Sequence, residues 1–527
     1  MILQHHDSES EIRSDGTSVV CPSSPIIGSP LWPQSFGRTM DIYSRSKSQR
    51  SEIDSGLDGI SNAFEPTSSP TAARNDSNGI REPLLKKSES YQSENKYGVQ
   101  STEEAIHLSC YSGNFRPRNE QGSSFFQSLF NGMNVLAGVG ILSTPYAAAK
   151  GGWLSLVLLL AFALICCYTA ILLRRCLDSD PYIHSYPDVG EASFGKWGRW
   201  IISIMLYLEL YAVAIEFLIL EGDNLAHLFP SAGISFGRII LRPNEIFIIM
   251  SAVCMLPTVW LRELSVLSYI SATGVVASFL IVLTVGWIGI LDGVGFHNQG
   301  SLLHLDGLPV AVGLYSFCYC GHAVFPSIYG SMRNRAQFSH VLVLCFTLCT
   351  FMYGGIAVMG YSMFGDELQS QITLNLPQEV PASHFAIWVT LVNPFAKYAI
   401  TLTPVAVALE EFLSHSMADS TKDIRFWGTI LRTLLVISTV IVALSVPFFG
   451  LLMAFIGSFL SATVSIILPC LCYLKIFHQR LSFPEVSVVG ALLCLGFIVG
   501  IGGSYFSVKA IIDNLGSTGA GLFPGYY

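Results

Sequence analysis

The chain has 527 residues, 51% hydrophobic and only 13% charged, against roughly 25% charged in a soluble globular domain. Mean hydropathy is +0.51, and the net charge of -8 divides evenly between residues 1–124 (12 Lys and Arg, 16 Asp and Glu) and the remainder (17 and 21). This describes a polytopic membrane protein with no nucleic acid partner, because neither part is basic enough for one.

Residues 1–124 are rich in Ser, Asn, Gly, Pro and mixed charge. Such a segment buries too little apolar surface to offset its conformational entropy, so it reads as a disordered cytosolic tail. It lacks the basic and apolar regions of a cleaved signal. Arg81-Glu-Pro-Leu-Leu-Lys-Lys87 resembles a dileucine sorting signal through Leu84 and Leu85, with Ile80 where an acidic residue is usual. Its alternatives are contact with a sorting adaptor and an ordinary piece of tail.

From Phe125 onward, eleven apolar runs are each long enough to cross about 30 Å of hydrocarbon. They lie near 125–149, 152–174, 199–221, 244–261, 265–291, 308–330, 339–361, 384–411, 426–447, 450–474 and 485–509. The division is therefore a tail at 1–124, a transmembrane core at 125–510 and a short non-cytosolic tail at 511–527. With the N-terminus in the cytosol, cytosolic loops hold Arg174, Arg175, Lys196, Arg199, Arg262, Arg333, Arg335, Lys422, Arg425, Lys475 and Arg480. The opposite side holds Lys150, Arg238, Arg242 and Lys509, and this asymmetry fixes the expected orientation. The cysteines sit mostly inside the apolar runs, where they read as small packing residues. The Cys318/Cys320 and Cys470/Cys472 spacings do not suit a zinc knuckle.

Two of these runs are interrupted. In the first, Gly138 and Gly140 stand mid-span with Pro145 beyond them, a composition that predicts a helix that stops, unwinds and restarts. Unwound backbone at membrane depth belongs where it is buried in protein or lines a cavity. Gly140-Ile-Leu-Ser-Thr-Pro145 aligns with Gly321-His-Ala-Val-Phe-Pro326 in the sixth run, and the second to fifth runs align with the seventh to tenth at a similar offset. Five spans invert the second set. The expected fold is an all-α membrane protein of the leucine-transporter type, with a 5+5 inverted repeat, broken helices 1 and 6 and an added eleventh span.

Phosphate loops, zinc-protease motifs, nucleophile elbows and dinucleotide fingerprints are absent, so polar groups inside spans carry the functional signal. The unwound segment Ala137, Gly138, Val139, Gly140 and Ile141 frees backbone N–H groups at the positive end of a half-helix, which suits a carboxylate. The competing reading is close packing at small residues. Phe317, Tyr319, Cys320 and Gly321 form the second break, where freed carbonyls from Phe317 to Cys320 suit an ammonium group. Beside them, His322 reads either as a proton carrier or as a neutral histidine bonded within the bundle. Lys397 lies halfway along span 8, too deep to reach the interface. In this architecture it falls beside the first break, where it replaces a sodium ion and titrates, or else it pairs with Glu209 or Glu216 of span 3. Thr401 and Thr403 keep sodium open as the coupling ion.

Asn134-Val-Leu-Ala-Gly-Val-Gly-Ile-Leu-Ser-Thr-Pro-Tyr-Ala147 followed by Gly151-Gly-Trp153 resembles the first span of the amino acid/auxin permease family. Ser185-Tyr-Pro-Asp-Val-Gly-Glu-Ala-Ser-Phe-Gly195 resembles that family's segment between spans 2 and 3. Phe317-Cys-Tyr-Cys-Gly-His-Ala-Val-Phe-Pro326 with Tyr329-Gly-Ser-Met332 resembles its sixth span. The likeness covers about residues 124–510 and is strongest to the vacuolar amino acid transporter type 1 subgroup. It implies a secondary transporter of neutral amino acids, not an enzyme, coupled to protons without a bound cofactor, on a vacuolar or lysosome-like membrane. The alternative from another class is an amino acid sensor that signals through its N-terminal tail.

Overall fold

The computed structural model describes residues 122–236, 239–260, 268–297, 300–416 and 421–520. The tail through Gln121 with Leu84 and Leu85, the loop residues Arg238 and Arg262, and residues 521–527 lie outside that description.

The first apolar run is cut by its own glycines. Helix α1 (Phe125–Leu136) starts at Ser124, whose Oγ accepts from the Gln127 N–H at 3.3 Å, and α2 (Gly140–Gly151) resumes after three residues. Their axes are bent by 49°. Helix α3 (Ser155–Leu177) follows, then α4 (Tyr186–Leu228). A capping box at Ser185 and Asp188 nucleates α4. Gly195, at φ 67° and ψ -157°, interrupts it in a region that only glycine enters without strain. Across that kink, Arg199 Nη1 reaches Asp188 at 2.6 Å and Glu191 at 2.8 Å. The 43-residue element is thus a surface helix joined to a spanning one.

A hairpin of β1 (Ile234–Phe236) and β2 (Ile239–Leu241) departs from the all-helical expectation, with Ser235 opposite Ile240. Beyond it come α5 (Pro243–Trp260) and α6 (Ser268–Leu291), then the second interrupted element, α7 (Leu308–Cys318) and α8 (Phe325–Ser331). Helices α9 (Phe338–Phe364), α10 (Pro381–Ser416) and α11 (Thr421–Ser445) follow. Next are α12 (Phe449–Ile456) and α13 (Leu468–Phe477), joined through π-helical turns at Gly457–Ser461 and Thr463–Ile467. Finally α14 (Phe483–Ile498) passes through another π turn into α15 (Ser504–Ala520), so the last helix runs past residue 510.

The repeat is visible in the helix starts. Phe125, Ser155, Tyr186, Pro243 and Ser268 correspond to Leu308, Phe338, Pro381, Thr421 and Phe449, in the same order and at a similar interval. Among the described residues nine helices are long and apolar enough to cross a membrane, and the bent α1–α2 pair makes ten. The α7–α8 pair occupies the expected sixth position, but its two pieces have 11 and 7 residues and neither spans alone. Inward faces merge into one principal core that includes Leu136, Tyr315, Tyr353 and Met453. Outward faces carry exposed Leu164, Leu283, Phe351 and Ile441, the apolar surface that lipid covers.

Candidate functional site

The two breaks lie against each other at the centre of the fold. A Cβ added at Gly140 would sit 2.9 Å from Cys318 Sγ and 3.2 Å from Cys318 Cα. One added at Gly321 would sit 3.2 Å from Leu136 Cδ2. Glycine at 140 is therefore what lets the helix ends that border the two breaks touch. At Gly138 the nearest atoms would be 3.8 Å away, so that position has room.

A helix that stops leaves its last carbonyls without intrahelical donors; three neighbouring elements donate to carbonyls at this stop, and a fourth donates to the first carbonyl of the restarted helix. Lys397 Nζ of α10 donates to Asn134 O at 2.9 Å. The Tyr353 hydroxyl of α9 donates to Leu136 O. Ser278 Oγ of α6 donates to Ala137 O at 3.0 Å, and the Cys318 thiol of α7 donates to Gly140 O at 3.6 Å. Tyr353 also reaches Cys318 O at 3.1 Å, so one hydroxyl ties both breaks.

The remaining backbone groups sort by sign. Gly138 N–H turns back to Leu136 O at 2.6 Å, and Ile141 N–H reaches Gly138 O at 3.4 Å. The N–H groups of Val139 and Gly140 have no acceptor among the described residues. In the second break, Phe317 O accepts from Cys320 N–H at 3.1 Å, and Gly321 O accepts from Val324 N–H at 3.0 Å. No donor among the described residues reaches the carbonyls of Tyr319 and Cys320. The first break thus leaves two donors, and the second two acceptors, without partners among the described residues. Of the five residues from Ala137 to Ile141, three spend their N–H groups on nearby carbonyls, Ala137 on Met133 O at 2.6 Å among them, and Val139 and Gly140 do not.

The side chains divide differently. Tyr319 is fully buried, with its hydroxyl 2.9 Å from Thr350 Oγ1 and its ring stacked on Phe346. It therefore contributes backbone to the break and packing to α9. Ala137, Val139 and Ile141 point into the core, while Gly138, Phe317 and Cys320 are half-buried. The Cys320 thiol donates to Glu209 Oε1 at 2.8 Å. Ser461 donates to the same oxygen at 2.8 Å, and Ser465 reaches Cys320 Sγ at 3.4 Å. Both serines sit on the π-helical turns, a geometry that rotates side chains out of register and recurs at functional sites.

His322 is fully buried, with Nε2 3.1 Å from Thr169 Oγ1. The carbonyls of Ile165 and Cys166 both lie 3.1 Å from that hydroxyl, which can donate its one proton to either. Neither glutamate is the partner of Lys397, which makes no ion pair among the described residues. Both oxygens of Glu216 are buried without a hydrogen bond. Thr401 is buried one turn beyond Lys397, and Thr403 Oγ1 donates to Ala399 O at 2.6 Å within its own helix. Sequence reasoning passed over Tyr353, Ser278, Thr169 and Ser461. Each is a polar residue inside an apolar run, the signal that drew attention to Lys397.

Residues 121–512 match the family model described as transmembrane amino acid transporter protein. The amino acid transporter AVT1B of Arabidopsis thaliana is 51% identical over 75% of this chain and 72% of its own length. AVT1C of the same plant is 43% identical over 97% and 94%. Among solved structures, a sodium-coupled sialic acid symporter is similar with a TM-score of 0.45 at 14% identity, covering 75% of this chain and 90% of its own.

Proposed function

The chain belongs to the transmembrane amino acid transporter family, and from that premise we propose that it carries neutral amino acids by alternating access, driven by a proton gradient. It is a multi-pass membrane protein and a transporter. The observation that carries the finer reading is the sorting of free backbone groups. The N–H groups of Val139 and Gly140 suit a carboxylate, and the carbonyls of Tyr319 and Cys320 suit an ammonium group. A zwitterion between the breaks satisfies both, and hydrogen bonds to charged groups contribute about 1.5–3 kcal/mol each. No charged side chain is needed at either end, which favours substrates whose own side chains are neutral.

Lys397 is the proposed coupling group. As an ammonium it holds the Asn134 carbonyl, one turn before the first break, through a charge-assisted bond. Loss of its proton weakens that hold and frees α1 to tilt. The ammonium stands in for the sodium ion of related transport cycles, with Thr401 next to it. The vacuolar membrane is the proposed location, with the N-terminus cytosolic. Radiolabelled neutral amino acids and purified protein in proteoliposomes test this reading. Uphill accumulation that follows an imposed pH gradient and collapses with a protonophore is expected. Accumulation that follows sodium and ignores the protonophore refutes proton coupling.

A further inference from the structure

Helix α4 carries three acidic residues at heptad spacing, Glu209, Glu216 and Asp223. Seven residues return a helix to nearly the same face and advance it by about 10.5 Å. The three carboxyls therefore line one face over four turns. Each has a different environment. Glu209 Oε1 accepts from the Cys320 thiol and from Ser461, so that end of the row touches the second break. Asp223 Oδ2 accepts from Gln371 Nε2 at 3.2 Å, and Gln371 Oε1 accepts from Asn224 Nδ2 at 2.5 Å. Gln371 belongs to the segment joining α9 to α10, so the opposite end of the row meets an interhelical connection. Between them, Glu216 is fully buried with neither oxygen bonded.

A carboxylate in that position would lose its hydration with nothing in exchange, a cost of several kcal/mol. A neutral acid is the form that such a site tolerates. Two thiols stand beside the row, Cys320 at Glu209 and Cys318 near Glu216, and α4 carries one further buried acid off the heptad face, Glu221, whose Oε1 is also without a hydrogen bond among the described residues. The charged residues of the packed elements are engaged elsewhere. Lys397 of α10 is on Asn134 O, Arg432 of α11 is on Glu410 at 2.8 Å, and Glu245 of α5 accepts from the Arg242 N–H. No fixed cation neutralises Glu216, so a proton does.

We propose that the acidic face of α4 is the proton path of the transport cycle, entered at Asp223, held at Glu216 and delivered at Glu209 to the second break. This rests on the proton-coupled reading above and adds a route separate from Lys397. The carboxyls stand about 10.5 Å apart along the helix, so water that enters the row during the alternating cycle carries the proton between them. Each transfer turns one carboxylic acid into a carboxylate as the next becomes the acid, and that water solvates the carboxylate while it lasts. Delivery at Glu209 alters its bonds to Cys320 and Ser461, which links the arriving proton to the backbone that holds the substrate.

Glu216→Gln tests the proposal, because the amide matches the neutral acid in shape and cannot pass a proton. Two readouts in proteoliposomes are compared: accumulation driven by a pH gradient, and substrate exchange with no gradient, which needs no net proton movement. Glu216→Gln should lower the first by at least about tenfold while leaving the second within about twofold. Asp223→Asn should shift the first in the same direction. Gradient-driven accumulation at the wild-type level in Glu216→Gln overturns the proposal. Equal loss of both readouts also overturns it, by assigning Glu216 to substrate binding or packing. A wild-type protein indifferent to the pH gradient removes proton coupling itself, and is distinguished by needing no variant to be seen.

Discussion

Gly140→Ala is the smallest perturbation that separates the two breaks. The added carbon would meet Cys318 Sγ at 2.9 Å, Cys318 Cα at 3.2 Å and Cys318 Cβ at 3.5 Å. The thiol can rotate, but the Cα belongs to backbone and must shift by a few tenths of an ångström. Overpacking of this kind costs about 1–3 kcal/mol. A loss of 1–3 kcal/mol in transition-state stabilisation corresponds to about 5- to 150-fold in kcat/KM. The assay is initial-rate uptake in proteoliposomes, normalised to reconstituted protein. Cys318→Ala added to Gly140→Ala removes the 2.9 Å and keeps the 3.2 Å contact, so partial recovery is expected. Gly138→Ala, whose new carbon meets nothing closer than 3.8 Å, should leave thermal stability unchanged. Wild-type uptake by Gly140→Ala refutes the claim that the breaks must touch.

Tyr353→Phe removes the hydroxyl shared by Leu136 O and Cys318 O, leaving Cys318 O without that donor and Leu136 O with only the Gly138 N–H, at a cost of about 1–3 kcal/mol. A lower melting temperature together with slower uptake is expected; an unchanged melting temperature contradicts the bridging role. Lys397→Met keeps the length of the side chain and loses the bond to Asn134 O. Its uptake should no longer respond to the pH gradient, and a preserved pH response removes Lys397 from the coupling step.

The breaks were legible in the sequence because glycine and proline act locally. Gly138, Gly140 and Pro145 interrupt one run, and Gly321 and Pro326 interrupt its counterpart, whatever packs around them. The order of spans followed from apolar length for the same reason. Partnerships were not legible, because they depend on how distant helices face each other. Lys397 could be placed at mid-span from the sequence. Its bond to a backbone carbonyl 263 residues away could not. Tyr353 looks like any aromatic residue in an apolar helix until α9 is packed on both breaks. The extent of α4 was also hidden: its first turns are polar and lie before the apolar run, and only the Ser185 cap and the Gly195 kink explain the longer element. The β1–β2 hairpin went unread although Ile234-Ser-Phe236 and Ile239-Ile-Leu241 flank a two-residue link, a spacing typical of hairpins.

The central claim is that the two breaks bind the charged ends of an amino acid through backbone groups. Competition binding to the purified protein measures this directly, with a transported neutral amino acid as the labelled ligand. Its N-acetyl and carboxamide derivatives are the competitors. Each derivative forfeits hydrogen bonds to one charged end, about 3 kcal/mol for a pair, so each should compete at least about 100-fold more weakly than the parent. Derivatives that compete as well as the parent would contradict the account.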